Sequence, residues 1–170
     1  FNRPMGAVFF NDYTVIVADT HNRKVRVVML ENEKVQTVEC SSASGGECDS
    51  EFIFPVDVSC DRDDVCWVLD AGDGSIVRIA LDGNFFIAGR YRPMNDSTAV
   101  FKGALGILSV GGGLLYIADT YGNRIWKFDT LHGAFEPIMG TGQTGFDEKE
   151  TNAALAPLNN PTSMVGIGSS

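Results

Sequence analysis

Several stretches of this 170-residue chain carry residues in arrangements that do chemistry in other proteins. Gly140-Thr141-Gly142-Gln143-Thr144-Gly145 has G-x-G-x-x-G spacing, which lets a dinucleotide pyrophosphate approach a tight turn and rest on a helix N-terminus. Asp61-Arg62-Asp63-Asp64 and Asp70-Ala71-Gly72-Asp73-Gly74 crowd hard oxygen ligands of the kind Ca²⁺ prefers. Cys40, Cys48, Cys60 and Cys66, with His21 and His132, are the candidates for zinc ligands, and the cysteines also for disulfides.

Spacing and context decide among these chemistries. A dinucleotide loop belongs between a strand and a helix, whereas Gly140–Gly145 follows a β-like run and leads through Phe146–Pro157 with no helical periodicity, so it is read as a connection. Neither acidic stretch has the ligand spacing of a twelve-residue EF loop. Both are read as solvated hairpin turns, with Ca²⁺ as the alternative and no other cofactor expected. No C-x₂-C pair is present to grip zinc. His21 and His132 stand far from the cysteines and from each other, in turn-like contexts that predict surface positions.

The four cysteines allow three pairings. Cys60 and Cys66 flank a polar turn between two β-like runs, and Cys40 and Cys48 bracket the flexible segment Ser41–Glu47, whose ends meet at modest entropic cost. Two local disulfides are therefore predicted, placing the chain in an oxidising compartment, extracellular or in the secretory lumen. Asn95-Asp96-Ser97, a glycosylation sequon at Asn95, agrees with that placement. The alternative is a cytoplasmic protein with four free, buried thiols.

Composition narrows the function classes. Hydrophobic residues at 44% and charged residues at 21% describe a globular chain, not a disordered one. No apolar run approaches the ~18 residues a membrane span needs, so membrane insertion is not expected. The net charge of −9 is concentrated: residues 31–73 hold twelve acids against Lys34 and Arg62. Such a field repels phosphate backbones, so no nucleic acid is expected as a partner. A chain that opens on Phe1 and closes on Gly168-Ser169-Ser170 is expected to be a piece of something longer.

The elements that position these residues come from an internal repeat. Val15–Asp19, Cys66–Asp70 and Leu115–Asp119 are apolar runs closed by aspartate, spaced 51 and 49 residues apart. Fifteen residues before each aspartate stands Pro4, Pro55 or Ala104, with Pro161 as a fourth equivalent, and three residues before those come Phe1, Phe52, Phe101 and Leu158. Each unit divides into four short β-like runs: 5–10, 14–18, 24–30 and 35–40; then 56–60, 65–69, 75–81 and 85–88; then 105–110, 114–118, 124–128 and 134–139. The strand-bound aromatics Trp67, Phe85, Phe86, Tyr116, Trp126 and Phe128 are read as packing between sheets, while Tyr13, Tyr91 and Tyr121 are placed in turns or connections. Four-stranded units of about 40 to 50 residues predict an all-β fold of propeller blades.

These residues resemble the NHL repeats, whose units read P-x-G-V-A followed by an apolar strand and A-D-T/S-x-N-x-R-I/V. Pro4-Met5-Gly6-Ala7-Val8 with Ala18-Asp19-Thr20-His21-Asn22-Arg23-Lys24-Val25 carries the likeness, as does Ala118-Asp119-Thr120-Tyr121-Gly122-Asn123-Arg124-Ile125, in which Asn123 falls one place later. The second unit, Asp70-Ala71-Gly72-Asp73-Gly74-Ser75-Ile76, lacks the basic residue. The resemblance covers residues 1–170 as a partial NHL-type β-propeller: units at 1–51, 52–100 and 101–157, and the start of a fourth at 158–170, with an edge strand near 163–167. Roughly six blades would close such a ring, so the remaining blades are expected from the same chain or from a second copy.

The turn motif is assigned a structural role. Asp19, Asp70 and Asp119 end strands, where a short carboxylate accepts N–H groups of the following turn. Asn22, Asp73 and Gly122 are expected at the positive φ of that turn, and Lys24, Asn123 and Arg124 complete the set, the basic residues reaching an acidic neighbour or laying their stems on the sheet. The function implied is a non-catalytic scaffold for protein or glycan contacts, with specificity in the loops 40–48 and 90–100. The competing reading is a hydrolase or lyase with a metal in the channel, as in other six-bladed propellers.

Overall fold

The computed structural model describes residues 1–40, 51–81, 85–91 and 101–166. The Cys40–Cys48 pairing and the Asn95 sequon lie outside the described residues. The chain forms two compact units, residues 1–92 and 93–170.

The first unit holds two sheets. β1 (Gly6–Asn11), β2 (Thr14–Asp19), β3 (Lys24–Met29) and β4 (Lys34–Thr37) form an antiparallel meander in the order β1-β2-β3-β4. The second sheet repeats it with β6 (Pro55–Cys60), β7 (Cys66–Asp70), β8 (Ser75–Leu81) and β9 (Phe85–Tyr91), and gains β5 (Glu39–Cys40), which runs parallel to β9. The single run expected at 35–40 is thus divided: after Thr37 the chain leaves the first sheet and crosses to the outer edge of the second. An edge strand offers a row of unpaired N–H and C=O groups, and β5 takes them up.

Pleating puts alternate residues on one face, and residues paired across an antiparallel ladder share that face. Val8, Ile16 and Val27 pair in succession across β1, β2 and β3, and Val58, Val68 and Val77 do the same across β6, β7 and β8. These two apolar stripes join one core cluster together with Val25, Phe52, Ile79 and Ile87. Each fully buried Val, Ile or Phe there contributes on the order of 1.5–3 kcal/mol. Close stacking of the sheets explains Gly6: a β-carbon added to it would stand 2.6 Å from the Asp57 Cα and 2.8 Å from the Val56 carbonyl oxygen.

The second unit is a four-stranded antiparallel sheet of β10 (Ala104–Ser109), β11 (Leu114–Asp119), β12 (Arg124–Asp129) and β13 (Ala134–Met139). One face is aromatic: Phe128 stacks on Phe135 at 4.0 Å between ring centroids, and Phe101 meets Trp126 and Phe135 edge-on. Residues 158–166 form no strand, because they have no ladder partner among the described residues. They nevertheless lie against β10, with the Thr162 carbonyl oxygen 2.6 Å from where a β-carbon on Gly106 would be. Apart from a single 3₁₀ turn at Thr20–Asn22, no helix occurs among the described residues.

Candidate interaction surface

The three aspartates of the repeat are buried at the ends of β2, β7 and β11. Each binds backward along the chain as well as forward. Asp19 Oδ1 accepts from the Asn2 N–H at 2.7 Å, Asp70 accepts from the Ile53 and Phe54 N–H groups at 2.8 and 2.7 Å, and Asp119 Oδ1 accepts from the Lys102 N–H at 2.9 Å. These donors sit sixteen or seventeen residues earlier, in the segment entering the innermost strand. Forward bonds come from the Gly72 N–H to Asp70 and the Gly122 N–H to Asp119. One carboxylate therefore ties the entry of a sheet's first strand to the exit of its second, satisfying donors that burial would otherwise orphan.

The second carboxylate oxygen varies with the repeat. Asp19 Oδ2 accepts from the Asn22 amide at 2.9 Å and from Arg26 Nε at 3.1 Å, and Arg26 also donates to the Thr37 hydroxyl. Asp119 Oδ2 accepts from Trp126 Nε1 at 3.4 Å. Burial opposes the charge of Asp19 and is the largest single influence on it, but Asn2, Asn22 and Arg26 together outweigh it and hold the carboxyl below its ordinary value. At Asp119 burial wins over the bonds from Trp126, Lys102 and Gly122, and the carboxyl is pushed up.

The left-handed residue of the turn is Arg23, Gly74 or Asn123, with φ of 56°, 70° and 52°. This corrects the expectation for Asn22, Asp73 and Gly122, one place earlier. Two of those residues have other duties: Asn22 donates to Asp19, and Gly122 is pressed so closely against the Asp119 carboxylate that no side chain fits. Asp73 accepts from the Ser75 N–H at 3.0 Å. Lys24 is exposed, and Arg26 takes the acidic partner instead. Arg124 donates to the Thr141 carbonyl at 3.0 Å and packs over the Trp126 ring. Asn123 Oδ1 accepts from the Asn160 N–H at 3.0 Å.

The remaining chemical candidates resolve into architecture. Gly140 and Gly142 both have positive φ; Gly140 is pressed against the Asn123 carbonyl and Gly142 against the Arg124 guanidinium, so the glycine-rich loop is a seat for the preceding turn. Asp61 Oδ1 accepts from the N–H groups of Asp63 and Val65 within its own hairpin. Cys60 and Cys66 form a disulfide across β6 and β7. His132 Nδ1 lies 2.7 Å from Asp129 Oδ2, a contact that lowers the Asp129 carboxyl. Among the described residues no three His, Cys, Asp or Glu side chains converge as a metal site would require, and no helix is long and apolar enough to cross a membrane.

The exposed large apolar side chains are aromatic as well as aliphatic. Tyr13 lies in the β1–β2 turn, and the ring of Tyr121 lies against Gly103. His21 packs against Phe54 with 5.8 Å between ring centroids. Tyr91, expected in a connection, instead ends β9 and packs on Trp67, because that strand runs three residues past its anticipated end.

No family model matches the chain, and no curated protein matches it. Solved structures do. Virginiamycin B lyase from Staphylococcus aureus is similar at TM-score 0.60 and 15% identity over 94% of this chain, which spans 44% of that protein. An auxiliary nutrient binding protein from Bacteroides thetaiotaomicron is similar at TM-score 0.64 and 12% identity, over 93% of this chain and 41% of that one. The WD40 repeats of RRP9 are similar at TM-score 0.58 and 10% identity, over 81% and 38%. The chain thus spans less than half the length of each, and likeness at such identity speaks for fold alone. The three antiparallel four-stranded repeats are β-propeller blades.

Proposed function

We propose that this chain is part of an NHL-type propeller of about six blades that serves as a non-catalytic scaffold for protein contacts in an oxidising compartment. One observation carries the reading: the buried carboxylates Asp19, Asp70 and Asp119, the groups best suited to catalysis, are engaged by backbone donors that tie together the first two strands of their own blade. The exposed ends of the sheets, by contrast, present aromatic and apolar side chains suited to contact.

Further blades are supported by Phe1, which is 66% exposed where its counterparts Phe52 and Phe101 are 1% and 8% exposed. Residues 158–166, laid on Gly106 as β6 is laid on Gly6, act as the inner edge of the next blade in the same polypeptide. That place is then taken, which disfavours a second copy. The Cys60–Cys66 bond supports the oxidising compartment.

Metal analysis of the full-length polypeptide tests the scaffold against a channel-site hydrolase or lyase. Protein purified without chelator is expected to carry no stoichiometric metal; one Ca²⁺ or Zn²⁺ per chain would replace the scaffold by the enzyme.

A further inference from the structure

Two donors of the second sheet stand opposite each other without an acceptor among the described residues. Trp67 on β7 and Arg78 on β8 are paired directly across the ladder, so both side chains lie on one face. Trp67 Nε1 is buried and makes no hydrogen bond, and the Arg78 guanidinium has neither a hydrogen bond nor an ion pair among the described residues. Trp67 is 3% exposed and Arg78 is half-buried. A buried N–H without a partner has lost its hydration and gained nothing for it, so it calls for an acceptor such as an ion or a water.

The indole also reaches across to its neighbour. The Trp67 ring meets Tyr91 of β9 at 5.7 Å between centroids, and Tyr91 opposes Ile76, two places along β8 from Arg78. With strands about 4.8 Å apart, the indole crosses β8 beside Arg78 to reach that ring.

The other repeats satisfy the same row from within. In the third, Tyr116 pairs with Lys127 and Lys127 with Glu136, whose carboxylate lies 3.3 Å from the Lys127 ammonium. In the first, Ile16, Val27 and Gln36 succeed one another, and Ile16 and Val27 are core residues that need no acceptor. In the second, the residue opposite Arg78 is Gly89, which supplies no carboxylate. The acids on this face, among the described residues, are Asp57 and Glu39. Asp57 Oδ1 accepts from the Val58 N–H at 2.9 Å and is turned toward Gly6, and Glu39 is exposed on β5, beyond β9.

We propose that Arg78 and the Trp67 indole N–H bind the carboxylate of a small organic acid, in the place that Glu136 holds in the third repeat. One full positive charge beside one neutral donor matches a monoanion, whereas a phosphate would bring more charge than one arginine balances. The guanidinium fork takes two oxygens at once, which a carboxylate offers and a chloride ion does not. The half-buried guanidinium leaves the site open to solvent on its own side. This binding goes beyond the scaffold reading and does not depend on it.

The test uses the full-length polypeptide with isotope-labelled tryptophan, its indole N–H resonances followed by NMR during titration with sodium acetate, sodium phosphate or sodium chloride at matched ionic strength and neutral pH. The Trp67 resonance, identified by its loss in Trp67→Phe, is expected to move saturably with acetate in the millimolar range, while Trp126, already bonded to Asp119, stays in place. Arg78→Gln is expected to weaken that response by at least about tenfold, and Arg78→Lys, which keeps the charge without the fork, by less.

No saturable movement of Trp67 in the wild-type protein would overturn the proposal, and so would an unchanged response in folded Arg78→Gln. Chloride or phosphate acting as strongly as acetate would overturn the carboxylate as the occupant. The wild-type titrations decide between these outcomes even where a variant fails to fold. Failure of the scaffold reading would appear separately, in the metal analysis.

Discussion

Gly6 and Asp57 stand on neighbouring inner strands at a separation that leaves no room for a methyl group: a β-carbon on the glycine would lie 2.6 Å from both the Asp57 Cα and Asp57 Oδ1. Gly106 stands in the same relation to the Thr162 carbonyl oxygen in the second unit. The glycine of the P-x-G motif therefore sets how closely one blade approaches the next, and the obstruction is backbone, which yields less readily than a side chain.

Gly6→Ala and Gly106→Ala are accordingly expected to destabilise the full-length protein by about 2–3 kcal/mol each, as overpacking of a close-packed contact. Gly112→Ala is the control, since nothing lies within 4 Å of its added carbon. Its φ of 62° limits the cost to about 1 kcal/mol. Denaturant titrations compare the three, and equal losses would mean that the close approach plays no part.

Asp70 accepts N–H bonds from Ile53, Phe54 and Gly72 at a buried position. Asp70→Ala leaves those donors without their acceptor, at a cost of about 3–5 kcal/mol. A loss below about 1 kcal/mol in equilibrium unfolding would contradict the role assigned to this carboxylate.

Asp19 and Asp119 make opposite predictions for pH. The folded-state value of Asp19 is lowered, so its contribution is present above the unfolded value near 3.9 and is lost as pH falls through the lower, folded value. That of Asp119 is raised, so its contribution is complete below about pH 3.9 and is lost as pH rises through the folded value. Asp19→Asn should therefore destabilise more at neutral pH than in acid, and Asp119→Asn more in acid than at neutral pH. Unfolding midpoints of both variants at pH about 3 and about 7 check the signs; parallel trends would refute the assignment.

The Cys60–Cys66 bond closes a short loop across β6 and β7. Cys60→Ser is expected to lower stability by about 2 kcal/mol. Intact mass of the full-length protein before and after reduction should register the bond directly, and free Cys60 and Cys66 thiols in freshly isolated protein would argue for the cytoplasm.

Strand positions were legible in the sequence because each strand needs only its own alternation and the turn residues that bound it. Apolar runs closed by Asp19, Asp70 and Asp119, with Asp73-Gly74 and similar punctuation between them, placed the strands to within a residue or two at most ends. The exceptions depend on neighbours. β9 runs on to Tyr91 because β8 continues beside it, and β5 belongs to the second sheet because that sheet has an open edge within reach. Residues 158–166 lack a ladder for the converse reason, having no pairing strand among the described residues.

The repeat period and the residue types of the motif were thus set by the chain itself, since periodicity and local preference are properties of neighbouring residues. Tertiary structure alone decided what the motif binds. It brought Asn2, Ile53 and Lys102 to aspartates seventeen residues later, moved the left-handed place to Arg23, Gly74 and Asn123, and turned the glycines at 140 and 142 into seats for a turn. Those outcomes depend on where distant backbone donors and carbonyls lie once the sheets have stacked, and a carboxylate or a glycine takes its role from the groups that packing delivers to it.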